Sequence, residues 1–232
     1  MDQTGIEKRT AAWEAVNYIG DGMVVGLGTG STTRYAIERI AERIRKEELE
    51  IIGIPTSNAT CELAQALNIP LSELNEHPVV DIDIDGADEF DSAFNLTKGG
   101  GGAHTREKII AGASKKFIVV ADSKKRVSYL GEKFAIPVEV MPIAEKFAIC
   151  EIENLGAACT IRLKKNEECK KFITDNGNLI IDAEFNSKFE PEDMEMLLDS
   201  IPGVIECGIF ARRRADIILV GCGESFETLK RQ

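Results

Sequence analysis

The segment GLGTGSTT, residues 26–33, combines glycines with hydroxyl side chains directly after a short apolar run. Glycine lets the backbone approach a ligand closely, and a helix beginning here would offer N–H groups and positive partial charge to an anion. Thr29, Ser31 and Thr32 add hydroxyl donors. Ser31 stands where a dinucleotide fingerprint has its third glycine, and a P-loop lysine is also missing. The segment therefore predicts a phosphate cradle, with a strand-to-helix turn capped by Ser31 as the alternative.

The segment DIDIDGADEF, residues 81–90, concentrates negative charge. Its carboxylates are Asp81, Asp83, Asp85, Asp88 and Glu89. Alternation along a strand puts the first three on one face. Neighbouring carboxylates raise one another's pKa and can transfer protons, and they could also hold a divalent metal. A solvated acidic turn is the alternative.

The segment KGGGGAHTREK, residues 98–108, contains four consecutive glycines before a helical pattern. Such a run is costly in entropy, and it predicts backbone that must approach a ligand closely. Its N–H groups beside Lys98 could stabilise a developing oxyanion. Glu107, in the first turns of the helix, could face the same pocket as a general base. A flexible linker is the alternative, and His104 is interpreted as a bystander.

Three further basic features are weak signals on their own. ADSKKRV, residues 121–127, follows a strong apolar strand, and α/β sheets place ligand contacts beyond the carboxyl ends of strands. Lys8 lies in the first amphipathic segment. The arginine run at 212–214 is typical of a solvated face, although it could line an interface.

The elements that must position these residues alternate between strand and helix in the first half of the chain. Helical spacing is seen at 8–19, 31–49, 57–68 and 104–115. Apolar strand-like runs occur at 23–28, 51–54, 79–90 and 116–122. This rhythm predicts a mostly parallel, layered α/β sheet.

The pattern changes near Gly131 to strand, helix, hairpin, helix and strand, which predicts a small α+β unit. The hairpin is predicted from Asn176-Gly177, a strong turn signal. A last apolar run at 215–221 is expected to rejoin the first sheet. The predicted domains are therefore 1–130 plus 208–232, and 131–207.

Composition excludes several classes of protein. A net charge of −11 over 232 residues argues against nucleic-acid or anionic-membrane binding by bulk electrostatics. The charged start contains no secretion signal, and no stretch reaches the ~20 apolar residues of a membrane span. Six cysteines without a CxxC pair and two histidines predict reduced cytosolic thiols and no metal site.

Together these motifs resemble the ribose-5-phosphate isomerase A family. The resemblance is carried by GLGTGST, DGADE, KGGGGAHTREK, the lysine after ADS, and TDNGN followed by IPGV, in the family's order along nearly the whole chain. It implies an aldose–ketose isomerase that interconverts D-ribose 5-phosphate and D-ribulose 5-phosphate through an enediolate, in the non-oxidative pentose phosphate pathway. It implies no cofactor and no metal.

The resemblance also implies a role for each matched residue. Those expected to bind substrate, chiefly its phosphate, are Lys8, Thr29, Gly30, Ser31, Thr32 and Lys125. Those expected to contact the sugar are Asp85, Gly86, Ala87 and Asp88. Those expected to stabilise the enediolate are Lys98 and the amides of Gly99, Gly100 and Gly101.

In this scheme Glu107 takes the C2 proton and returns it to C1, and Asp85 also assists ring opening. The family often has a serine before the lysine that corresponds to Lys125. Here that position is Lys124, so either lysine is a candidate for the contact.

The expected fold is a Rossmann-like, doubly wound, mostly parallel sheet with an inserted ferredoxin-like α+β domain. The resemblance further implies a cytoplasmic homodimer or homotetramer whose partner is a small sugar phosphate.

Two other functions stay open at this point. A related sugar-phosphate deaminase or isomerase would share the phosphate cradle and act on an amino sugar, releasing ammonia. A sugar-phosphate sensor domain would bind without turnover. The negative charge and the missing DNA-binding segment argue against a sensor, as does Glu107, because binding alone needs no base beside an oxyanion pocket.

Overall fold

Apolar and charged residues alternate in patterns that produce a succession of helices and strands, and the computed structural model describes residues 2–165, 167 and 169–231. The helices are α1 (Gln3–Val16), α2 (Thr33–Glu47), α3 (Asn58–Ala66), α4 (His104–Ala113), α5 (Glu145–Asn154) and α6 (Pro191–Asp199). The strands are β1 (Met23–Leu27), β2 (Ile51–Pro55), β3 (Ile82–Gly86), β4 (Glu89–Phe90), β5 (Leu96–Thr97), β6 (Phe117–Asp122), β7 (Ile136–Val140), β8 (Ala157–Ile161), β9 (Leu179–Phe185), β10 (Val204–Cys207), β11 (Ile209–Phe210), β12 (Ile217–Cys222) and β13 (Ser225–Lys230). Within the described ranges, no helix has the length and apolar character needed to cross a membrane.

The first of two compact units contains Met1–Ala87, Arg106–Lys125 and Arg213–Gln232. Its sheet has the strand order β13-β12-β6-β3-β1-β2, with all pairs parallel except the edge pair β12–β13. β6 is buried along its whole length, as expected for a central parallel strand. The chain moves from β1 to β2 on one side and to β3 on the other. The carboxyl ends of β1 and β3 thus form the crevice where α/β sheets bind ligands.

The second unit contains Asp88–Thr105 and Arg126–Arg212. Its main sheet is antiparallel in the order β10-β7-β9-β8, and α5 and α6 provide the crossovers. Its core includes Ile136, Val138 and Leu198, all fully buried. The succession βαββαβ with this order is the ferredoxin-like arrangement. The predicted fold class, a doubly wound sheet with a ferredoxin-like α+β portion, is therefore confirmed.

The second unit also contains a short three-stranded sheet, β11-β5-β4. Its hydrogen bonds group residues 88–105 with the second unit, whereas the predicted boundaries put them in 1–130. The amide of Lys98, for example, donates to the carbonyl of Gly208 at 2.8 Å. Such pairing between distant segments leaves no local signal in the sequence. Four residues within the predicted boundaries lie outside the described ones: Met1, Asn166, Glu168 and Gln232.

The local strand predictions agree with the structure in part. The Asn176-Gly177 turn forms, with the Gly177 amide donating to the Thr174 carbonyl at 2.9 Å, and β9 pairs with β7 and β8. The predicted turn is therefore present, and the antiparallel partner of β9 that immediately precedes it in sequence is β8, which ends at Ile161. The run at 215–221 rejoins the first sheet through β6 as expected. The edge strand β13 was not predicted, because its exposed sequence SFETLK lacks an apolar face that would mark it.

The arginine run at 212–214 is not simply a solvated face. In the second unit, Arg212 forms an ion pair with Asp199 at the end of α6. In the first unit, Arg213 donates to the carbonyl of Ala111 at 2.8 Å and to Asp216 at 3.1 Å. Guanidinium groups commonly satisfy the last carbonyls of a helix in this way. At least two of the three arginines therefore have structural partners.

Candidate active site

The first glycine loop, residues 26–32, begins at the carboxyl end of β1 and is shaped by two carboxylates of β3. A Cβ atom on Gly28 would lie 2.2 Å from Asp85 Oδ1, and one on Gly26 would lie 2.5 Å from Asp83 Oδ1. Both aspartates are fully buried. These two glycines therefore leave space for the two aspartate side chains. The sequence analysis had explained the same glycines by the close approach of an anion. Asp83 and Asp85 both contact glycines of this loop, as expected if they share one face of β3.

Thr29 connects this loop to Asp85 and to a network of hydroxyl groups. Its amide donates to Asp85 Oδ1 at 3.0 Å. Its hydroxyl lies 2.7 Å from Thr56 Oγ1, 2.7 Å from Ser57 Oγ and 3.0 Å from Thr60 Oγ1. The Thr29 hydroxyl thus takes part in holding the loop. The sequence TSNAT after β2 was the available signal for this network, and it was missed.

Lys8 and Ser31 meet at the same crevice. Lys8 Nζ donates to Ser31 Oγ at 2.9 Å, which connects α1 to the first glycine loop. α2 begins at Thr33 with Thr32 as its N-cap, so the alternative of a turn capped by Ser31 is not observed. Gly30 has a φ of +129°, a conformation that only glycine adopts readily. Lys8 therefore contacts the loop that contains other predicted phosphate-contacting residues, Gly30, Ser31 and Thr32.

The turn that contains Lys125 is hydrogen-bonded to α1. A 3-10 turn, Ser123–Lys125, follows β6, and its Ser123 hydroxyl donates to Glu7 Oε2 at 3.0 Å. Burial by itself would raise the pKa of the Glu7 carboxyl. Hydrogen bonds from Ser123 and Gln3 outweigh burial, so this pKa lies below its usual value. Lys124 Nζ donates to Thr4 Oγ1 at 3.1 Å, which engages the competing lysine with α1.

The five carboxylates of the acidic segment divide into different roles. Asp81 accepts from the Val24 amide at 2.9 Å and pairs with Lys115 at 2.7 Å. The hydrogen bond from Lys115, with the one from the Val24 amide, lowers the pKa of Asp81. This carboxylate has a structural role, and the interpretation of the segment as one proton-transfer cluster was too broad.

Glu89, at the other end of the segment, is buried in the second unit. It accepts from the amides of Gly131 at 2.7 Å, Lys133 at 2.6 Å and Phe134 at 3.0 Å. It therefore closes the turn that precedes β7.

Asp85 and Asp88 are the segment's candidates for chemistry, and both contact backbone donors. Asp85 Oδ1 accepts from the Gly86 amide at 2.7 Å, in addition to that of Thr29. Asp88 Oδ2 accepts from the Gly100 amide at 2.7 Å. One of the predicted oxyanion donors therefore already has a carboxylate acceptor in the second unit.

The second glycine loop, residues 98–102, is held by side chains of its own unit. Lys98 is buried, and its ammonium lies 5.5 Å from the centre of the Phe210 ring. Gly99 has a φ of +105°, and a Cβ atom on it would lie 2.6 Å from His104 Nδ1. His104 Nε2 lies 3.1 Å from the Glu206 carbonyl oxygen. His104 therefore packs against this loop, and its interpretation as a bystander to catalysis stays a prediction.

Arg162 was not identified from the sequence, yet it grips the second glycine loop. Its Nη1 donates to the Gly99 carbonyl at 2.7 Å and to the Gly100 carbonyl at 3.3 Å. Asp182 pairs with the same guanidinium, and its Oδ2 accepts from Nε at 2.9 Å. Arginine is suited to this task because its rigid fork can bind a carboxylate and a carbonyl simultaneously.

Glu107 follows the second glycine loop along the chain. It lies in the first turn of α4 and its side chain is only 4% exposed. Burying a carboxylate costs free energy unless hydrogen bonds offset the loss of water, and buried carboxylates are therefore common at functional sites. This burial distinguishes Glu107 from a solvated residue of the helix.

The first unit thus has a glycine- and hydroxyl-rich loop beside buried aspartates at the carboxyl end of a parallel sheet, and the second unit has a glycine loop beside a buried lysine. The family model for ribose 5-phosphate isomerase A (phosphoriboisomerase A) matches residues 52–225. The chain therefore belongs to the ribose 5-phosphate isomerase A family, and the resemblance inferred from its motifs is confirmed.

Individual relatives agree over nearly the whole chain. Ribose-5-phosphate isomerase A of Methanothermobacter thermautotrophicus is 46% identical, and the match covers 96% of this chain and 97% of that protein. The structure of ribose 5-phosphate isomerase A from Methanocaldococcus jannaschii superposes with a TM-score of 0.91 at 45% identity, covering 97% and 98% of the two chains. A D-ribose-5-phosphate isomerase solved in complex with phospho-erythronic acid gives a TM-score of 0.94 at 45% identity over 100% of both chains.

Proposed function

We propose that this chain interconverts D-ribose 5-phosphate and D-ribulose 5-phosphate by moving a proton between C1 and C2 through an enediolate. The observation that carries the proposal is the family membership together with the chemistry-bearing residues, which are all present at the matching motifs. Aldose–ketose isomerisation needs a base and donors for a developing oxyanion. The chain offers candidates for both.

The phosphate is expected at the first glycine loop. Lys8 and Ser31 are already in contact there, and Lys125 lies on the turn that Glu7 fastens to α1. A lysine supplies the positive charge, and the N-terminus of α2 adds a positive partial charge. Because Lys124 is engaged by Thr4, Lys125 is the better candidate to reach the substrate. Thr29, Gly30 and Thr32 complete the set.

The sugar is expected beside residues 85–88. The amides of Thr29 and Gly86 donate to Asp85 Oδ1 and orient this carboxylate, which is the proposed acceptor of a hydroxyl proton during ring opening. Asp88 now occupies the Gly100 amide, so an enediolate oxygen could bind that amide only after the Asp88 carboxylate moves. Lys98 and the amides of Gly99 and Gly101 are the other proposed partners of the enediolate.

Glu107 is the proposed base that removes the C2 proton and delivers it to C1. A single carboxylate can perform both transfers because the two carbons are adjacent in the substrate. The relative with bound phospho-erythronic acid supports the class of ligand, since that compound joins a phosphate to a carboxylate. A planar carboxylate resembles an enediolate in charge and shape.

The decisive experiment is to assay the purified chain with ribose 5-phosphate in the presence of a chelator. Ribulose 5-phosphate should form at rates within the usual range of enzymes, roughly 1–10³ per second. Ammonia release from an amino sugar phosphate, without isomerisation of ribose 5-phosphate, would identify a deaminase. Binding of ribose 5-phosphate with no turnover would identify a sensor, and either result would overturn the proposal.

A cytoplasmic location and a homodimer or homotetramer are also proposed. Exposed large apolar side chains on the second unit are the observation that supports self-association, because a partner would remove them from water. Ile143 is 91% exposed, Phe147 49% and Met196 47%. Light scattering after size-exclusion chromatography should give two or four times the chain mass of 25.4 kDa. A single-chain mass at micromolar concentration would contradict oligomerisation.

A further inference from the structure

The motif TDNGN, residues 174–178, has a role in the second unit that its sequence did not disclose. Its side chains converge on one carboxylate, that of Glu139 on β7. Glu139 is 0% exposed, so its charge has no contact with water. A buried charge in a sheet is stable only when surrounded by donors.

Four donors of the second unit supply what Glu139 needs. Oε1 accepts from Thr174 Oγ1 at 2.8 Å, Asn178 Nδ2 at 2.8 Å and Asn176 Nδ2 at 3.1 Å. Oε2 accepts from the hydroxyl of Thr105 at 2.5 Å. Three donors thus come from one turn, and the fourth comes from the start of α4.

The ionised form of Glu139 is the one that these donors favour. Burial would raise the pKa of the carboxyl, whereas hydrogen bonds from Thr105, Asn178, Thr174 and Asn176 lower it, and the net pKa lies below its usual value. Hydrogen bonds to an ionised acceptor are about twice as strong as neutral ones. The ionised Glu139 carboxylate therefore binds the Thr105 hydroxyl strongly.

The element that Glu139 holds is the first turn of α4, which also contains the proposed base Glu107. Thr105 is the second residue of α4, and Glu107 is the fourth. Fixing the Thr105 side chain to β7 restricts how the first turn of α4 can rotate or unwind. The same turn follows the second glycine loop, whose Gly99 and Gly100 carbonyls are gripped by Arg162.

We propose that Glu139 is a positioning residue for the isomerisation: through Thr105 it fixes the first turn of α4, and with it the carboxylate of Glu107. The inference rests on the proposed function, because it assigns Glu107 the role of base. TDNGN then serves as the set of donors that keeps Glu139 in place. Glu139 itself acts through Thr105 and does not touch the reacting atoms.

The test uses hydroxyl deletions that spare the carboxylate, because Glu139→Gln would bury a donating NH2 group among hydrogen-bond donors and destabilise the whole unit. Thr105→Val removes only the anchor between Glu139 and α4. It should lower kcat about 10- to 100-fold while KM changes less than about threefold, since a misplacement near 1 Å can cost a factor of this size. Thr105→Ser keeps the hydroxyl and should restore kcat to within about threefold of the wild type.

Thr174→Val is the matched comparison on the other side of Glu139. Thr174 Oγ1 also accepts from the amides of Asn176 and Asn178, so this variant should lower Tm at least as much as Thr105→Val. Its kcat should fall less than that of Thr105→Val. If kcat tracks Tm across both variants, or if Thr105→Val has normal kcat, the positioning role is refuted.

An inactive wild-type chain would instead refute the proposed function, and the positioning role with it. The two failures are therefore distinguishable by assaying the wild type first.

Discussion

The two glycine loops use the same residue for different physical reasons. In the first glycine loop, Gly26 and Gly28 leave space for two aspartates on the neighbouring strand β3. In the second glycine loop, Gly99 adopts a left-handed backbone beside His104, while Arg162 holds the carbonyl groups. The glycines of the first loop are required by the register of β1 and β3, whereas the second loop is shaped by the side chains of His104 and Arg162.

The two loops should therefore respond differently to substitution. A loop defined by strand register cannot yield without moving the sheet, because its contacts include backbone atoms. A Cβ on Gly28 would also lie 2.6 Å from the Cα of Asp85. A loop defined by side chains can relax when one of those side chains is removed.

Gly28→Ala should have the largest effect. The new methyl group would collide with the backbone of β3 as well as the Asp85 carboxylate, so we expect at least a 100-fold fall in kcat/KM. The free energy of unfolding should fall by roughly 1–3 kcal/mol, as in other overpacked sites. Chemical denaturation and steady-state kinetics would measure both. Gly112→Ala is the control, because a Cβ there meets nothing within 4 Å; wild-type behaviour of Gly28→Ala would contradict the register argument.

Gly99→Ala should have a smaller effect that a second substitution partly reverses. The left-handed backbone costs a non-glycine residue about 1–2 kcal/mol, and the methyl group also meets the His104 ring. We expect a 10- to 100-fold loss of kcat. Because the collision is with a side chain, the stability losses of Gly99→Ala and His104→Ala should combine less than additively. Strict additivity in a double-mutant cycle would show that the ring contact is unimportant.

Arg162→Met should lower kcat about tenfold with little change in KM. The substitution keeps much of the apolar stem and removes the fork that holds the Gly99 and Gly100 carbonyls. Arg162→Lys should not restore activity, because an ammonium cannot bind Asp182 and both carbonyls in the same geometry. Lys171→Met is the control, since it removes an exposed ion pair of the same unit, with Glu145. Full activity in Arg162→Lys would contradict the fork as the essential feature.

Acidification should have the smallest effect near neutral pH and a growing effect below it. The pKa of Glu139 is lower in the folded chain than in the unfolded one, so the unfolded state binds the proton more readily. The stabilisation is complete above the unfolded pKa, about 4.5, and is lost as pH falls through the lower folded value. Thermal melts between pH 7 and pH 3 would measure this loss. A Tm that rises on acidification over that range would contradict the assignment.

The elements of the parallel sheet were predictable because their signals are local. Apolar runs and helical spacing place β1, α2, β2 and β6 within a few residues of their observed bounds. Because β1 and β3 are parallel neighbours, the first glycine loop and Asp85 come to the same end of the sheet. The strand β13 was not predicted because five of its six residues are exposed and give no buried apolar pattern.

The partners of buried charges were not predictable from one sequence. The acidic segment could be recognised, but the structural roles of Asp81 and Glu89 depend on Lys115 and on the amides at 131–134. Similarly, TDNGN was visible as a motif while its acceptor Glu139 lay 35 residues away. Sequence distance conceals such pairs, because nothing in local propensity depends on them.

The central claim is that Glu107 moves the proton in a phosphate-anchored sugar. It is tested most directly by comparing Glu107→Gln with the wild type in deuterium oxide, following the C2 proton of ribose 5-phosphate by NMR and substrate binding by calorimetry. We expect binding within a few-fold of the wild type and a loss of C2 proton exchange of roughly 10²- to 10⁴-fold. Exchange and turnover at nearly the wild-type rate in Glu107→Gln would contradict the central claim.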